Sequence, residues 1–312
     1  KNAASFTKQL SNSGITVDAV ASHGQTVRHI PVASAKAKYT RGTFQIGSLE
    51  MISTATKKIT IGDFRQADVA LGHEGAPITV TAMQRLFESN KESRLIVNIG
   101  GASNYFYYPL NHKQLRPLAG DCGPGNSLCD ILCEKLFHTK FDQNGKIASN
   151  GNPSKRILAL LLAEPFFKNK TISTGRETFG KEFAENIIAL GEKFNLSNTD
   201  IVSTAAELTI LAIANKIKPL FERDTSLSKL YLTGGGRKNK FFVKRLKEML
   251  NSVKIESADR LGFNADFIEA AAYAVMGEAA LRSEPLPTVF DGTKAAATYP
   301  VLGKIVQPPV KI

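Results

Sequence analysis

The sequence alternates short β-rich apolar runs with longer segments whose apolar residues recur at helical spacing. The run at residues 95–99 is followed by two glycines. The run at residues 230–232 is followed by a glycine turn and then by an amphipathic segment. Such alternation is typical of α/β folds with largely parallel sheets. The pattern therefore predicts an α/β protein, and a length of 312 residues favours two domains over one.

The predicted elements divide between two lobes and a tail. We expect a first lobe at residues 1–93, a second lobe at 94–283, and a C-terminal tail at 284–312 that packs back on the first lobe. The predicted strands are 17–21, 43–46, 59–61, 95–99, 104–108, 230–232 and 253–256. The main predicted helices are 49–56, 78–88, 127–137, 153–163, 179–194, 200–221 and 266–281, with Thr199 or Asp200 as the cap of the sixth.

The sequence does not favour a membrane protein or a structural metal site. No apolar stretch is long enough to cross a bilayer, and no signal-peptide pattern opens the chain. Cys122, Cys129 and Cys133 lack further ligands at zinc-finger spacing, which favours reduced thiols over a structural metal. We therefore expect a cytoplasmic protein with no membrane partner.

The net charge of +12 raises the question of nucleic-acid binding. The densest basic run, residues 237–247, alternates with apolar residues as an amphipathic helix does, and the other lysines are scattered. We therefore expect no nucleic-acid partner. A small anionic substrate would also benefit from the positive field.

Residues 120–126 read Gly-Asp-Cys-Gly-Pro-Gly-Asn and are predicted to form a turn before a helix. Asn126 or Ser127 could cap that helix, with Asp130 completing a capping box. Such a turn would offer Asp121 as a base, together with backbone N–H donors and a helix N-terminus that favours anions. An ordinary strand-to-helix turn explains these residues equally well.

Two glycine turns suit backbone contact with a nucleotide. Asn98, Gly100 and Gly101 lie in a predicted hairpin turn, and the run 234–236 is all glycine. Each signal is weak alone, because glycine turns are common. Neither a P-loop nor a Gly-x-Gly-x-x-Gly segment after a strand is present, so paired turns would have to hold the nucleotide.

Several polar side chains lie in or after the predicted strands or open a helix, where they could bind sugar hydroxyls. They are His23, Gln25, Gln45, Arg65 and Glu269. A lone histidine such as His23 is more often structural than catalytic. Arg65 shares a strand face with Asp63 and could simply form an ion pair with it. Glu269 could equally be an ordinary acidic residue in the first turn of a helix.

Ten segments, taken in order over nearly the whole chain, resemble the 1,6-anhydro-N-acetylmuramic acid kinase family of the sugar kinase, Hsp70 and actin superfamily. Single segments are unspecific, whereas ten in register are highly specific. They are residues 22–26, 43–47, 63–65 with Asp68, 75–77, 98–101, 121–126, 173–177, 207–209, 234–236 and 269–270.

The resemblance implies an actin-like ATPase fold, in which two RNase H-like lobes close on ATP and a sugar in a central cleft. It implies an enzyme that transfers the γ-phosphate of ATP to the 6-oxygen of 1,6-anhydro-N-acetylmuramic acid while water opens the anhydro bridge. The product is N-acetylmuramic acid 6-phosphate, in cell-wall sugar recycling. Related enzymes are often dimers, so the resemblance also allows a homodimer.

The resemblance also implies roles for individual residues. Asp121 is the general base that activates the water, Asn98, Gly100 and Gly101 form a phosphate turn, and residues 234–236 lie on the adenosine side. Mg²⁺ bridges ATP oxygens without a protein metal site. The implied sugar-binding residues are His23, Gln25, Gln45, Arg65, Gly123, Pro124, Asn126 and Glu269.

The sequence departs from the family pattern in three places. The glycine-rich phosphate hairpin of the first lobe, with its aspartate, has no counterpart, so we expect a first lobe that is incomplete at its N-terminus. Cys122 replaces the usual threonine beside the base, and His73-Glu74 stands where small or amide residues are usual. These departures leave open a second interpretation, a non-catalytic sugar-binding or regulatory protein on a kinase scaffold.

Overall fold

A computed structural model describes residues 2–30, 42–110, 115–168, 178–288, 290 and 298–310. Helices and strands alternate along the chain, which confirms the predicted α/β class. The chain forms two compact units. The first unit contains Lys1–Leu86 and Glu269–Ile312, and the second contains Phe87–Ile268.

The first unit opens with a short helix and two small sheets. Its elements up to residue 87 are α1 (Asn2–Asn12), β1 (Ala19–Ser22), β2 (Gln25–Ile30), β3 (Gly42–Ile46), α2 (Leu49–Thr56), β4 (Ile59–Gly62), α3 (Gln66–Ala70) and α4 (Val80–Phe87). Strands β1 and β4 are parallel, whereas β2 and β3 form a separate antiparallel pair. Ser48 caps α2 by accepting a hydrogen bond from the Met51 N–H, which is why this helix begins where the sequence predicts.

The second unit is built on one five-stranded sheet. Its elements are β5 (Arg94–Ile99), β6 (Ala102–Tyr108), β7 (Leu118–Pro124), α5 (Asn126–Phe137), α6 (Lys146–Ser149), α7 (Lys155–Leu162), α8 (Pro165–Lys168), α9 (Lys181–Lys193), α10 (Asn198–Arg223), β8 (Lys229–Thr233), α11 (Lys240–Met249) and β9 (Lys254–Ser257). The strand order is β7-β6-β5-β8-β9. Strands β5, β6 and β7 are antiparallel neighbours, while β8 and β9 continue the sheet in parallel.

The last helix and strand return to the first unit. They are α12 (Ile268–Leu281) and β10 (Lys304–Val306), and β10 pairs antiparallel with β4. Helix α12 is rich in alanine, and a Cβ on Gly277 would lie only 3.0 Å from the Cβ of Ala21 on β1. Because small residues allow this close approach, residues 269–283 pack with the first unit and not with the second lobe, to which we assigned them. Residues 87–93 likewise lie with the second unit.

Helix α10 is the central helix of the second unit, and most of its residues are buried. Its N-cap is Ser197, which forms a reciprocal capping box with Asp200. The prediction that Thr199 or Asp200 is the cap was therefore wrong by a few residues, because Asp200 serves as the third helical residue of the box. Leu208 and Ile213 lie in the same buried cluster as Leu95 and Val97 of β5.

A charged contact joins α10 to α11. Arg245 donates from Nε to Glu207 Oε2 at 2.8 Å and from Nη2 to Glu207 Oε1 at 2.7 Å. Glu207 is buried, whereas Arg245 is about one-third exposed and also pairs with Glu248. This fork orients α11, which follows the glycine run 234–236, against the core helix.

Replacing Glu207 with glutamine should destabilise the second unit. The Gln amide group would place donors against the Arg245 fork, and we expect a loss of about 2 kcal/mol, the size of a hydrogen bond to a charged group. Urea denaturation followed by circular dichroism measures the loss. Glu222→Gln, an exposed change on the same helix, is the matched control. Equal midpoints for the two variants would contradict the assigned role of the fork.

Candidate active site

Asp121 lies within strand β7, and not in a turn as the sequence predicts. The strand runs from Leu118 to Pro124 and pairs with β6, with Asp121 opposite Asn104. Glycine and proline are typical of turns, but β7 is the edge strand of its sheet, where proline is tolerated. Asp121 is buried, with 7% of its surface exposed. The carboxylate is therefore held by sheet geometry.

The start of α5 is fastened to the turn between β5 and β6. The N–H groups of Gly125 and Ser127 donate to the Gly101 carbonyl at 3.1 and 3.2 Å, and the Asn126 N–H donates to the Gly100 carbonyl at 2.8 Å. Gly125 is the N-cap, and no side-chain hydrogen bond caps the helix. The predicted capping by Asn126 or Ser127 is therefore wrong. These backbone donors also do not serve as the anion site that we expected, because the turn already uses them.

The glycine run packs on the same turn. A Cβ on Gly234 would overlap Asn98 Oδ1, and a Cβ on Gly236 would overlap Ile99 Cγ2. Gly235 has more room, since its Cβ would lie 3.4 Å from Asn126 Nδ2. Two glycine turns that are far apart in sequence therefore meet around Ile99, whose carbonyl also accepts a hydrogen bond from Asn126 Nδ2 at 3.0 Å.

The turn between β5 and β6 presents mainly backbone to its surroundings. Gly100 carries no side chain, and none of the hydrogen bonds found among the described residues uses the Gly101 N–H. A cavity of about 270 Å³ lies beside the turn, and its lining includes Gly101, Ser127, Asp130 and Lys140. Lys140 and the backbone of the turn would attract an anionic group here, whereas the carboxyl groups of Asp130 and Glu134, which also line the cavity, would oppose it when ionised.

Cys122, next to Asp121, is fully buried. Burial, followed by the nearby charge of Asp121, raises the pKa of its thiol well above the usual range, so Cys122 stays a neutral thiol. Cys129 and Cys133 are also unpaired and buried on α5, as expected for reduced core thiols. Within the described part of the chain, no group of three His, Cys, Asp or Glu side chains could hold a metal ion.

A separate polar cluster forms in the first unit around Arg65. Its Nε donates to His23 Nε2 at 2.9 Å and its Nη1 donates to the Gly75 carbonyl at 2.6 Å. The Gly75 N–H donates to the buried Asp68 Oδ2 at 2.8 Å. The alternative ion pair between Arg65 and Asp63 is not what forms, because Asp63 pairs with Lys304 of β10.

Two further side chains complete this cluster. Tyr273 of α12 packs its ring 4.9 Å from the His23 ring and also lies near the Arg65 guanidinium. Burial raises the pKa of Tyr273 to about 12, so it remains a neutral phenol. Glu269, one helical turn earlier, contributes a favourable charge to Arg65. Sequence reasoning missed Tyr273, although its spacing of four residues from Glu269 places both on one face of α12.

The other predicted sugar-binding residues of the first unit lie on the β2–β3 pair. Gln45 donates from Nε2 to Thr43 Oγ1 at 2.6 Å and to Thr26 Oγ1 at 3.3 Å, and Gln25 is exposed. His73 contacts Asp68 Oδ1 at 2.8 Å and Thr288 Oγ1 at 3.2 Å, so its ring helps to hold the loop at Gly75. Residues 173–177 lie outside the described residues.

Sequence comparisons with known proteins agree on one family. The family model described as anhydro-N-acetylmuramic acid kinase matches residues 2–308. The protein named anhydro-N-acetylmuramic acid kinase from Caldanaerobacter subterraneus subsp. tengcongensis is 34% identical over 308 residues, covering 96% of this chain and 76% of that protein. The protein of the same name from Coxiella burnetii strain Dugway 5J108-111 is 35% identical over 293 residues, covering 93% of this chain and 74% of that protein.

Among solved structures, the activator of the 2-hydroxyisocaproyl-CoA dehydratase from Clostridium difficile with bound ADPNP aligns with a TM-score of 0.40. The alignment covers 76% of this chain and 84% of that one at 17% identity, a similarity too low to identify a shared activity. In the part of the chain that the structure describes, no helix is long and apolar enough to span a membrane.

The packing of the glycine run predicts different tolerances at neighbouring positions. Gly236→Ala forces a Cβ into Ile99 and should cost about 1–3 kcal/mol, as overpacking of a filled core does. Gly235→Ala meets nothing closer than van der Waals contact and should unfold close to the wild-type temperature. Thermal denaturation compares the two variants. The packing account fails if they melt together.

Asp130 predicts a pH dependence of stability. Burial, and then the charge of Asp142, raises its pKa to about 6, above that of an unfolded aspartate. The native state therefore binds this proton more tightly, so the stabilisation is present below about pH 4 and is lost as the pH rises through about 6. Asp130→Asn should melt increasingly above wild type as the pH rises across this range.

The matched control is Glu134→Gln, an exposed change one turn later on α5. Melting temperatures of the three proteins, measured from about pH 4 to neutral pH, provide the comparison. A constant difference between Asp130→Asn and wild type at every pH would contradict the assignment.

Proposed function

Because the chain belongs to the anhydro-N-acetylmuramic acid kinase family, we propose that it uses ATP and water to convert 1,6-anhydro-N-acetylmuramic acid to N-acetylmuramic acid 6-phosphate. The observation that carries this proposal is the placement of Asp121. It is a buried carboxylate in β7, a strand whose following helix is hydrogen-bonded to the glycine turn at Gly100 and Gly101. Asp121, as the base, and the candidate phosphate turn are thus linked through hydrogen-bonded backbone.

In the proposed reaction, Asp121 accepts a proton from water as the water oxygen bonds to the anomeric carbon of the sugar. The bond from that carbon to the 6-oxygen breaks, and the 6-oxygen takes the electron pair. This oxygen bonds to the γ-phosphorus of ATP while the bond to the β-phosphate oxygen breaks, which releases ADP. The rigid strand orients the carboxylate, which lowers the entropic cost of the step.

The second unit would bind the nucleotide. Gly100 and Gly101, with Asn98 behind them, would contact the phosphates, because the turn presents backbone and no side chains. Gly234, Gly235 and Gly236 would lie on the adenosine side, with Gly235 as the glycine left with room for a ligand. Mg²⁺ would enter with the phosphates and neutralise their charge, since this ion keeps waters and phosphate oxygens as ligands.

Polar side chains of the first unit and residues beside Asp121 would bind the sugar. Arg65 and Glu269 offer a donor fork and a carboxylate in the first unit, where Gln25 and Gln45 are further candidates. Gly123, Pro124 and Asn126 would contact the sugar beside the base. His23 belongs to the same cluster as Arg65.

We further propose that the reaction occurs in the cytoplasm, as a step of cell-wall sugar recycling, and that the protein acts as a homodimer. The main alternative, a non-catalytic sugar-binding protein on a kinase scaffold, is not favoured by the family match. The two differ in turnover, since only the kinase releases ADP when the anhydro sugar is added.

Replacing Asp121 with asparagine should remove turnover while leaving the fold intact. Asn has nearly the same shape but cannot accept the proton from water, so we expect a fall in kcat of about 10²–10⁴-fold, the usual contribution of a general base. Coupled detection of ADP release that depends on the anhydro sugar measures this effect. Calorimetry should show unchanged ATP binding.

Asp18→Asn, an exposed change of the same type, is the control and should turn over normally. Asp121→Asn with wild-type turnover would contradict the role of Asp121. A wild-type protein that binds the sugar but releases no ADP would instead support the non-catalytic alternative.

A further inference from the structure

The contact between His23 and Arg65 determines which nitrogen of the imidazole carries a proton. Arg65 Nε lies 2.9 Å from His23 Nε2, and a guanidinium can only donate. His23 Nε2 must therefore accept, which requires a lone pair on that nitrogen. The other nitrogen, Nδ1, lies 3.0 Å from the Gly24 carbonyl, which can only accept. The two contacts together are satisfied by one form, the neutral ring with its proton on Nδ1.

The surroundings of the ring favour the same form. The charged group that faces it is Arg65, from the segment after β4, and the charges that act on Arg65 in turn are Glu269 of α12 and Asp68 of α3. Burial, and then the charge of Arg65, lowers the pKa of His23. The ring of Tyr273 covers one side, with the centroids 4.9 Å apart. A second proton on His23 would point a donor at a donor.

The Arg65 side chain is also held from a second direction. Its Nη1 donates to the Gly75 carbonyl, and the N–H of the same glycine is fixed by the buried Asp68. A Cβ on Gly75 would lie 2.6 Å from Val69 Cγ2, so the loop can approach this closely only with glycine. The guanidinium is thus oriented by an imidazole on one side and a braced peptide on the other.

We propose that His23 is a positioning residue, which as the neutral Nδ1–H tautomer orients the guanidinium of Arg65 and exchanges no proton during the reaction. This inference rests on the proposed function only in assuming that Arg65 contacts the sugar. In this proposal, His23 contributes to sugar affinity by orienting Arg65, and Asp121 carries out the proton transfer.

Nitrogen-15 NMR of the histidine side chains tests the tautomer without any need for activity. The chain has five histidines, so the signal missing from His23→Gln identifies the one of interest. We expect a proton on Nδ1, none on Nε2, and no titration near about pH 6.5, where an ordinary histidine protonates. An imidazolium at neutral pH, or a proton on Nε2, would overturn the inference.

Two substitutions then separate positioning from proton transfer. His23→Phe keeps a ring against Tyr273 but lacks the acceptor, and should raise the KM for the anhydro sugar about 10-fold or more, the effect of losing one charged hydrogen bond. His23→Gln offers an oxygen near the Nε2 position and should recover much of this loss. In both variants, the pH dependence of kcat should match that of wild type.

Loss of kcat in both variants, or a missing limb in the pH profile, would show proton transfer by His23 and contradict the proposal. In an Arg65→Ala background, His23→Phe should add no further loss, because residues that act through one another are not additive. Melting curves establish that each variant is folded. If wild type shows no turnover with the anhydro sugar, the proposed function fails, and the NMR measurement still decides the tautomer of His23.

Discussion

Three backbone hydrogen bonds at the start of α5 underlie the geometry of the second unit. The N–H groups of residues 125–127 donate to the carbonyls of Gly100 and Gly101, so the first turn of a helix is attached to a hairpin turn. A helix start normally leaves these donors for a side chain, water or a ligand. Here they fix the end of β7, the start of α5 and the hairpin relative to one another, and a Cβ on Gly125 would overlap the Gly100 carbonyl.

Because of these hydrogen bonds, the N–H groups of residues 125–127 are not available to bind an anion. The partial positive charge of α5 is directed at the carbonyls of the turn, so an incoming phosphate would meet the turn itself and the Gly101 N–H. The carboxylate of Asp121 gains a fixed distance from that turn, since both belong to hydrogen-bonded neighbours in one sheet. Catalysis by a positioned base benefits from such rigidity, because the reacting groups are then held in the productive geometry.

The sequence predicted the parts of this structure that depend on local pattern. The span of α2 and the strands β5 and β8 follow from the local pattern of apolar residues. Contacts between distant residues could not be predicted in this way. Arg65 and His23 are 42 residues apart, and the pairing that makes residues 118–124 a strand comes from β6. Local composition favoured a turn there, and tertiary pairing overrode it.

Contacts between distant residues also account for the errors in the predicted domain boundaries. Helix α12 was assigned by its position in the chain, whereas its small residues allow close packing on β1 of the first unit. The sequence predicts nucleotide binding at the glycines of the candidate site, and the structure shows a packing requirement at two of them. Gly234 and Gly236 are required by packing against Asn98 and Ile99, which the sequence cannot distinguish from a requirement for ligand binding.

The most direct measurement of the central claim is the fate of the water oxygen. With ATP and the anhydro sugar in oxygen-18 water, the account predicts one labelled oxygen on the anomeric carbon of the sugar phosphate and none in its phosphate group, as read by mass spectrometry of fragments. Unlabelled product kept in the same water corrects for exchange. Label released in inorganic phosphate, or an unlabelled phosphorylated sugar that keeps its anhydro bridge, would contradict the account.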